Sequence, residues 1–240
     1  MTALRKIYSR TLAAIMLFTT EAALAILLFL ASLFVFLALA KYVFLDNKVE
    51  FDTAAFSFIQ QYVSEGTTNF MQFFTVFGNY QVLVTANLLL ICYFLFIRRH
   101  KWYSIKIPAI ALSSVIVMSL LKLFFNRSRP LSPLLEAARG LSFPSGHAMS
   151  SVTFFGLLIY YVYRNQKNSV WKFVLISGLV FLIAIIGLSR VYLRVHYASD
   201  VLAGFCAGII WLMIAIRVLR KIEMYSKRKL NKVVEQSQTV

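Results

Sequence analysis

The chain has 240 residues, of which 60% are hydrophobic and 14% are charged, whereas about 25% of the residues in a typical soluble domain are charged. This composition excludes disordered, collagen-like and soluble coiled-coil proteins and indicates a bundle of membrane-spanning helices. The formal net charge of +16 would suit nucleic acid or anionic lipid. In so apolar a chain it favours lipid, and no nucleic-acid partner is expected.

Six stretches are long and apolar enough to cross a bilayer, because a spanning helix needs about 20 mainly apolar residues. In chain order they are 22–40, 76–97, 105–125, 147–163, 173–188 and 201–219. The sequence therefore predicts an all-α, polytopic membrane bundle. It divides into an N-terminal segment 1–21, a membrane domain 22–219 and a basic tail 220–240.

The distribution of Lys and Arg predicts the orientation of this bundle. If the six stretches all span, 17 of the 25 Lys and Arg residues lie on the side of the two termini. The positive-inside rule then places both termini in the cytoplasm. The connections after the first, third and fifth spans face the exterior. With no retention or lipidation signal in the C-terminal sequence, we expect a multi-pass protein of a bacterial cytoplasmic membrane.

The beginning of the chain has a second interpretation. Arg5, Lys6 and Arg10 precede an apolar run that ends in Ala38-Leu39-Ala40, which resembles a cleaved secretory signal peptide. The apolar run is much longer than the usual 7–15 residues or so. The length favours an uncleaved first span, and cleavage would leave the other five spans unchanged.

The outward connection 46–69 carries a helical pattern. Phe51, Ala55, Phe58 and Tyr62 recur at helical spacing. They predict either an amphipathic helix lying on the membrane or a packing face over the bundle, and the sequence does not choose between the two.

The outward charges cluster in three short segments, 122–130, 144–147 and 189–200. Ionisable residues near a span are costly, so they are candidates for function. Among these residues, Lys122, Arg129 and Arg190 offer three cations. They suit a phosphoryl group, because one Arg guanidinium can bind two phosphate oxygens at once and Lys adds a point charge.

The other residues of these segments offer hydrogen bonds, a nucleophile and an acid. Ser145 and Gly146 directly precede the fourth span, where backbone N–H groups and a helix N-terminus favour an anion. His196 and Asp200 are four residues apart, so one helical turn would place them on one face. An aspartate bonded to one imidazole nitrogen leaves the other free to attack. His147 then remains as an acid.

Each of these residues alone has an ordinary explanation. Outer-face cations snorkel to headgroups, Pro-Ser-Gly often begins a helix, and a lone His is often structural. Two His and one Asp could also ligate zinc. Three cations in the same pocket would repel a dication, so no metal or cofactor is expected.

Taken together, the three segments resemble the signature of the type 2 phosphatidic acid phosphatase (PAP2) family. That signature is Lys, six residues, Arg-Pro; then Pro-Ser-Gly-His; then Ser-Arg, five residues, His, three residues, Asp. The matching residues are Lys122, Arg129, Pro130, Pro144, Ser145, Gly146, His147, Ser189, Arg190, His196 and Asp200. The resemblance is close over about 122–208 and looser elsewhere. Arg194 and Ala198 stand where many relatives have Gly and Pro.

The resemblance implies a metal-independent phosphatase that acts on a membrane lipid at the outer face. The residues implied to bind the phosphate are Lys122, Arg129, Arg190, Ser145 and Gly146. His196, oriented by Asp200, would attack phosphorus to give a phosphohistidine, and His147 would protonate the leaving oxygen. Pro130, Pro144 and Ser189 would be structural.

Several choices stay open at this stage. The substrate could be undecaprenyl diphosphate, phosphatidic acid or phosphatidylglycerol phosphate, and the extra cation at Arg194 is a weak hint of more than one phosphate. The alternative activity is a lipid-to-lipid phosphotransferase of the same superfamily. An anion transporter is less expected, because the spans carry few charges in their interiors. The sequence does not indicate an oligomeric state.

Overall fold

The structure is a computed structural model that describes residues 2–131, 133–134 and 140–238, with side chains for 20–131, 133–134 and 140–229. Every regular element in these ranges is helical, which confirms the predicted all-α class. The elements are α1 (Thr2–Ala40) with a π-helical extension (Lys41–Leu45), α2 (Glu50–Gln60), α3 (Glu65–Val76), α4 (Tyr80–Cys92) with a π-helical extension (Tyr93–Ile97), α5 (Lys101–Phe125), α6 (Gly146–Asn165), α7 (Ser169–Tyr192) and α8 (Ala198–Gln238).

Within the described part of the chain, five helices are long and apolar enough to cross a membrane. They are Thr20–Leu45, Tyr80–Ile97, Lys101–Phe125, Ser169–Tyr192 and Ala198–Lys229. They coincide with five of the six predicted spans. The chain is thus a multi-pass helical membrane protein.

The fourth predicted span forms α6, which occupies the centre of the bundle and packs against α5, α7 and α8. Its buried face includes Ser151 and Thr153, whose hydroxyls bond to carbonyls one turn earlier in the same helix. Because neighbouring helices surround it, α6 does not need an apolar surface on every side. The count of six spans and the cytoplasmic termini stay predictions.

Helix ends gather at one end of the bundle, which is called the site end. The ends of α3, α5 and α7 and the beginnings of α4, α6 and α8 meet there. Arg190 of α7 donates to Thr75 of α3, and the first turn of α6 contacts Asn79, the residue before α4. All three signature segments lie at the site end, because 122–130 and 189–200 contain the ends of α5 and α7 and 144–147 begins α6.

An aromatic cluster holds the connection before α6 in place. Phe143 is fully buried, and its ring centroid lies 4.8 Å from that of Phe125 and 5.1 Å from that of Phe44. Phe36 of α1 packs against the same ring at 6.0 Å. Burying an aromatic ring of this size stabilises by roughly 1.5–3 kcal/mol, so the backbone on either side of Phe143 is anchored between α1 and α5.

Close packing of α6 on α8 fixes the other side of that connection. A Cβ atom on Gly204 would lie 2.6 Å from the carbonyl oxygen of Ser145, and one on Gly208 would lie 3.0 Å from that of Met149. Only glycine lets the two backbones approach so closely. The first turn of α6 is therefore held directly on the first turns of α8.

The connection 46–69 contains α2 and the beginning of α3, and α2 packs over the bundle against α7 and α8. That its exposed residues lie on the membrane stays a prediction. Ala55 packs inward beside Phe56 and Ile59. Phe51, Phe58 and Tyr62 are exposed, so the four patterned residues do not share one face. The side of α2 that faces the bundle also carries Asp52, an acidic residue that is only 1% exposed.

Candidate active site

His196 and Asp200 form a buried pair at the site end. His196 is 2% exposed and Asp200 is fully buried, and Nδ1 of the imidazole lies 3.5 Å from Oδ2 of the carboxylate. The pairing agrees with the expectation from their spacing, but His196 precedes α8 and does not lie on its first turn. Its backbone N–H donates to the carbonyl of Arg190 at 3.2 Å, which closes the turn after α7.

The other imidazole nitrogen of His196 faces the cations. Nε2 lies 3.2 Å from Nη1 of Arg129. Burial lowers the pKa of His196 to about 4, against the opposing effect of Asp200. The imidazole is therefore neutral near pH 7, and with a proton on Nδ1 toward Asp200 it presents a lone pair on Nε2.

Lys122, Arg129 and Arg190 are held mainly by neutral oxygen atoms. Lys122 Nζ donates to the carbonyl of Leu141 at 2.6 Å, and Arg129 donates to that of Val195 at 2.8 Å. Arg190 donates to Thr75 Oγ1 at 2.8 Å. Across the described residues, no carboxylate lies within 4.0 Å of any of these three cations.

Arg190 has an unsatisfied donor as well. Its Nε is buried and has no hydrogen-bond partner among the residues that the structure describes. A buried polar group without a partner is costly, and so is a buried cation without an anion. The group as a whole is arranged to receive an anion with several oxygen atoms.

Ser145 and Gly146 shape the beginning of α6 beside these cations. The Ser145 N–H donates to the carbonyl of Asp200 at 2.9 Å, and its hydroxyl accepts from Ala148 N at 3.5 Å, as the N-cap of α6. A Cβ atom on Gly146 would lie 2.9 Å from Met118 Sδ. The helix N-terminus therefore comes close to α5 within the site, where it favours an anion.

His147 completes the cluster. Its Nε2 lies 2.8 Å from Oδ1 of Asn79. The charges of Arg190, Arg129 and Lys122 all act on it, as does His196. The structure thus brings together the two histidines, the three cations and the helix N-terminus that the sequence singled out.

The three residues expected to be structural lie in the surrounding framework. Ser189 is buried and its hydroxyl bonds to the carbonyl of Ile186 in its own helix, while Pro144 is fully buried. Pro130 lines a surface groove of about 460 Å³ together with Arg194 and Gln60. Arg194 donates to Gln60 of α2, so this additional cation faces the groove beside α2.

The structure adds residues that the sequence did not single out. Arg127 lies in the first signature segment but is not one of the specified residues of the signature, and it bridges Asp200 and Asp52. Ser142 donates to Oδ2 of Asp200. Asn79 and Thr75 hold His147 and Arg190. Asp52 could have been noticed in the sequence only as an acidic residue, because the chain has just 9 of them. No local pattern predicts its contacts, which are with residues 75 and 147 positions away.

Fold and site together define a helical membrane protein with a buried, positively charged centre beside two histidines. The chain belongs to the PAP2 superfamily, whose family model matches residues 103–223. The matched range contains all eleven residues of the signature.

Named relatives agree with this assignment. The chain is 27% identical over 141 residues to phosphatidylglycerophosphatase B of Bacillus subtilis (strain 168). This match covers 56% of this chain and 66% of the relative, which is just under two thirds of the relative's length. Its fold is similar to the crystal structure of a transmembrane PAP2 type phosphatidylglycerolphosphate phosphatase from Bacillus subtilis, with a TM-score of 0.73, 24% identity and coverage of 81% of this chain and 96% of that one. It is also similar to Aquifex aeolicus LpxE, with a TM-score of 0.54, 25% identity and coverage of 68% and 92%.

Proposed function

We propose that this protein is an integral-membrane lipid phosphatase of the PAP2 type, which hydrolyses the phosphomonoester or diphosphate of a membrane lipid. The observation that carries the proposal is the cluster of Lys122, Arg129 and Arg190, three cations without a carboxylate partner in the described structure, beside His196 and His147. A phosphoryl group would supply the missing anion. The chain's membership of the PAP2 superfamily supports the same activity.

The first chemical step follows from the order of groups around His196. The phosphate would lie among the three cations, with additional hydrogen bonds from Ser145 and the N–H of Gly146. Because Arg129 lies next to Nε2 of His196, a phosphate bound to Arg129 would present phosphorus to that nitrogen. The Nε2 lone pair attacks, the bond from phosphorus to the leaving oxygen breaks, and a phosphohistidine forms.

His147 would serve as the acid in this step and as the base in the next. A bound phosphate offsets the positive charges that act on His147 and so favours its protonated form. The protonated imidazole gives its proton to the leaving oxygen. A water molecule then attacks the phosphohistidine, returns a proton to His147 and releases inorganic phosphate. Charge stabilisation by the cations would replace the role of a metal ion.

Substrate access from the outer leaflet is part of the proposal. The distribution of Lys and Arg supports an orientation with the site end outside. An apolar groove of about 330 Å³ between α4, α5 and α6 begins beside the cluster: Tyr80 follows Asn79, and Ser150 lies one turn after His147. We assign the hydrocarbon tail of the substrate to this groove, so that the lipid does not have to leave the bilayer.

Phosphate release by the purified protein in detergent tests the activity. Three lipids form the panel, namely phosphatidylglycerol phosphate, phosphatidic acid and undecaprenyl diphosphate. The relationship to phosphatidylglycerophosphatase B makes the first of them the leading candidate. We expect release from one lipid in the presence of EDTA, none by His196→Ala, and near-wild-type release by His100→Ala, whose histidine caps α5 outside the cluster. Loss of activity in EDTA that metal restores would refute the metal-independent chemistry.

Two further arms of the same experiment test the acceptor and the orientation. Transfer of phosphate to a second lipid, without release to water, would identify a phosphotransferase. Sealed right-side-out vesicles should hydrolyse lipid supplied from the outside without permeabilisation, and hydrolysis only after permeabilisation would contradict the outward site.

A further inference from the structure

Arg127 lies between two buried carboxylates at the site end. Its Nη1 is 2.6 Å from Oδ1 of Asp200, and its Nη2 is 2.8 Å from Oδ2 of Asp52. Its guanidinium also stacks 4.0 Å from the ring centroid of Tyr197. Both carboxylates raise the pKa of Arg127 against the lowering effect of its burial, so the bridge is an ionic one.

Asp52 is held by more than this bridge. It accepts the backbone N–H of Ser199 at 2.8 Å on Oδ1 and the Ser199 hydroxyl at 2.7 Å on Oδ2. Ser199 directly precedes Asp200, and Arg127 Nη1 also donates to its hydroxyl at 2.8 Å. Through these bonds α2 is fastened to the first turn of α8.

Asp200 consequently has a separate set of partners on each oxygen. Oδ1 accepts from Arg127, whereas Oδ2 faces His196 and accepts from Ser142 and from the N–H of Tyr197. A carboxylate held at both oxygens cannot rotate, so the direction it offers to His196 Nδ1 is fixed.

We infer that Arg127 and Asp52 are positioning residues, which fix the carboxylate of Asp200 and thereby the orientation and charge of His196. This inference rests on the proposed function, in which His196 attacks phosphorus. Arg127 differs from the three phosphate-binding cations because both of its terminal nitrogens already have carboxylate partners. It lies outside the eleven residues of the PAP2 signature, and Asp52 lies on a helix outside the matched range.

The charge arrangement gives the two variants opposite electrostatic effects on His196. The charged and titratable groups that act on His196 are Asp200 of α8, Lys122 in the last turn of α5, Arg129 in the connection after α5, and His147 of α6. Arg127→Gln removes the cation that offsets Asp200, so the imidazolium is favoured and the pKa of His196 rises. Asp52→Asn removes a negative charge and leaves the positive charge of Arg127 less neutralised. The added positive charge disfavours the imidazolium, so the pKa of His196 cannot rise in this variant.

The test combines kinetics with a titration of the three histidine rings by NMR in detergent, using ring-labelled histidine. At pH 7 we expect both variants to lower kcat by a factor of about 10–100, the scale seen when a group that orients a catalytic ligand is lost. KM should stay near the wild-type value, because the phosphate-binding cations are untouched. The midpoint of His196 should rise in Arg127→Gln and should not rise in Asp52→Asn.

Arg194→Gln is the matched control, because Arg194 also joins α2 to the segment before α8 but contacts Gln60 instead of Asp200. We expect it to leave kcat and the His196 midpoint unchanged. If it reproduces the losses, the effect comes from docking of α2 and the inference is wrong. A change in KM alone, or an unshifted His196 midpoint in Arg127→Gln, would overturn it as well.

If Arg127→Gln and Asp52→Asn do not fold, two conservative variants replace them in the test. Arg127→Lys retains the charge but reaches one carboxylate at a time, and Asp52→Glu retains the carboxylate on a longer chain, so each should give a kcat between those of the wild type and a non-bridging variant. Wild-type kcat in both would refute the inference. Phosphate release from none of the three lipids by the wild-type protein would instead refute the proposed function, which keeps the two failures distinct.

Discussion

The partners of each cation divide the positive charges at the site end into two kinds. Arg127 is neutralised by Asp52 and Asp200, whereas Lys122, Arg129 and Arg190 bond mainly to carbonyl and hydroxyl oxygens. Breaking a buried pair by removing one partner costs about 3–5 kcal/mol, so cations left without an anion indicate a ligand. The motif spacing in the sequence selects Arg129 and not Arg127, but it does not predict the two carboxylates that neutralise Arg127, because they lie 73 and 75 positions away in the chain.

The state of His196 gives a pH prediction. Burial lowers its pKa from 6.5 to about 4, so the unfolded chain binds a proton there between those values and the folded protein does not. The contribution of this group to stability therefore falls as pH decreases from 6.5 toward 4, and it is constant above 6.5. In the NMR titration, the His196 ring should remain neutral at pH 5.5. A midpoint near 6.5 would contradict the buried, neutral nucleophile.

Secondary-structure elements were predicted best where a long apolar run defines them. Five of the six predicted spans correspond to helices long and apolar enough to cross a membrane. A packing face over the bundle was one of the two interpretations of α2, but the place of Asp52 on that face was not predicted, because its partners lie far away in the chain and leave no periodic pattern. The expectation that one helical turn joins His196 and Asp200 was wrong in detail, because α8 begins only at Ala198. The N–H groups of Val195 and His196 both donate to the Arg190 carbonyl, so these residues belong to the turn before α8.

The groove between α4, α5 and α6 gives a prediction at the scale of these helices. Ala111 lines the groove, so Ala111→Phe should narrow it and raise KM for a long-chain lipid, with little effect on a short-chain, soluble phosphate ester. Ile116→Phe provides the control, because Ile116 is an exposed residue of the same helix that does not line the groove. Equal KM values for Ala111→Phe and wild type with the long-chain lipid would place the tail elsewhere.

For the molecule as a whole, the bundle serves to join three distant segments of the chain. The ends of α3, α5 and α7 and the beginnings of α4, α6 and α8 lie together, although the signature residues span 79 positions from Lys122 to Asp200. The sequence predicted this convergence from one argument, that alternate connections of a multi-pass bundle share a face. It could not predict how Phe143, Gly204 and Gly208 hold the connection before α6, because close approach of helices depends on tertiary packing.

The measurement that tests the central claim most directly is detection of the covalent intermediate. In His147→Ala, hydrolysis of the phosphohistidine should be slow. A phosphate ester with a good leaving group should still form the phosphohistidine in this variant, because such a leaving group departs without being protonated by an acid. We predict that rapid base quenching followed by mass spectrometry finds one phosphate on His196, labile in acid and absent from the His196→Ala protein. Phosphate on Ser145, or turnover in His196→Ala at the wild-type rate, would contradict the account.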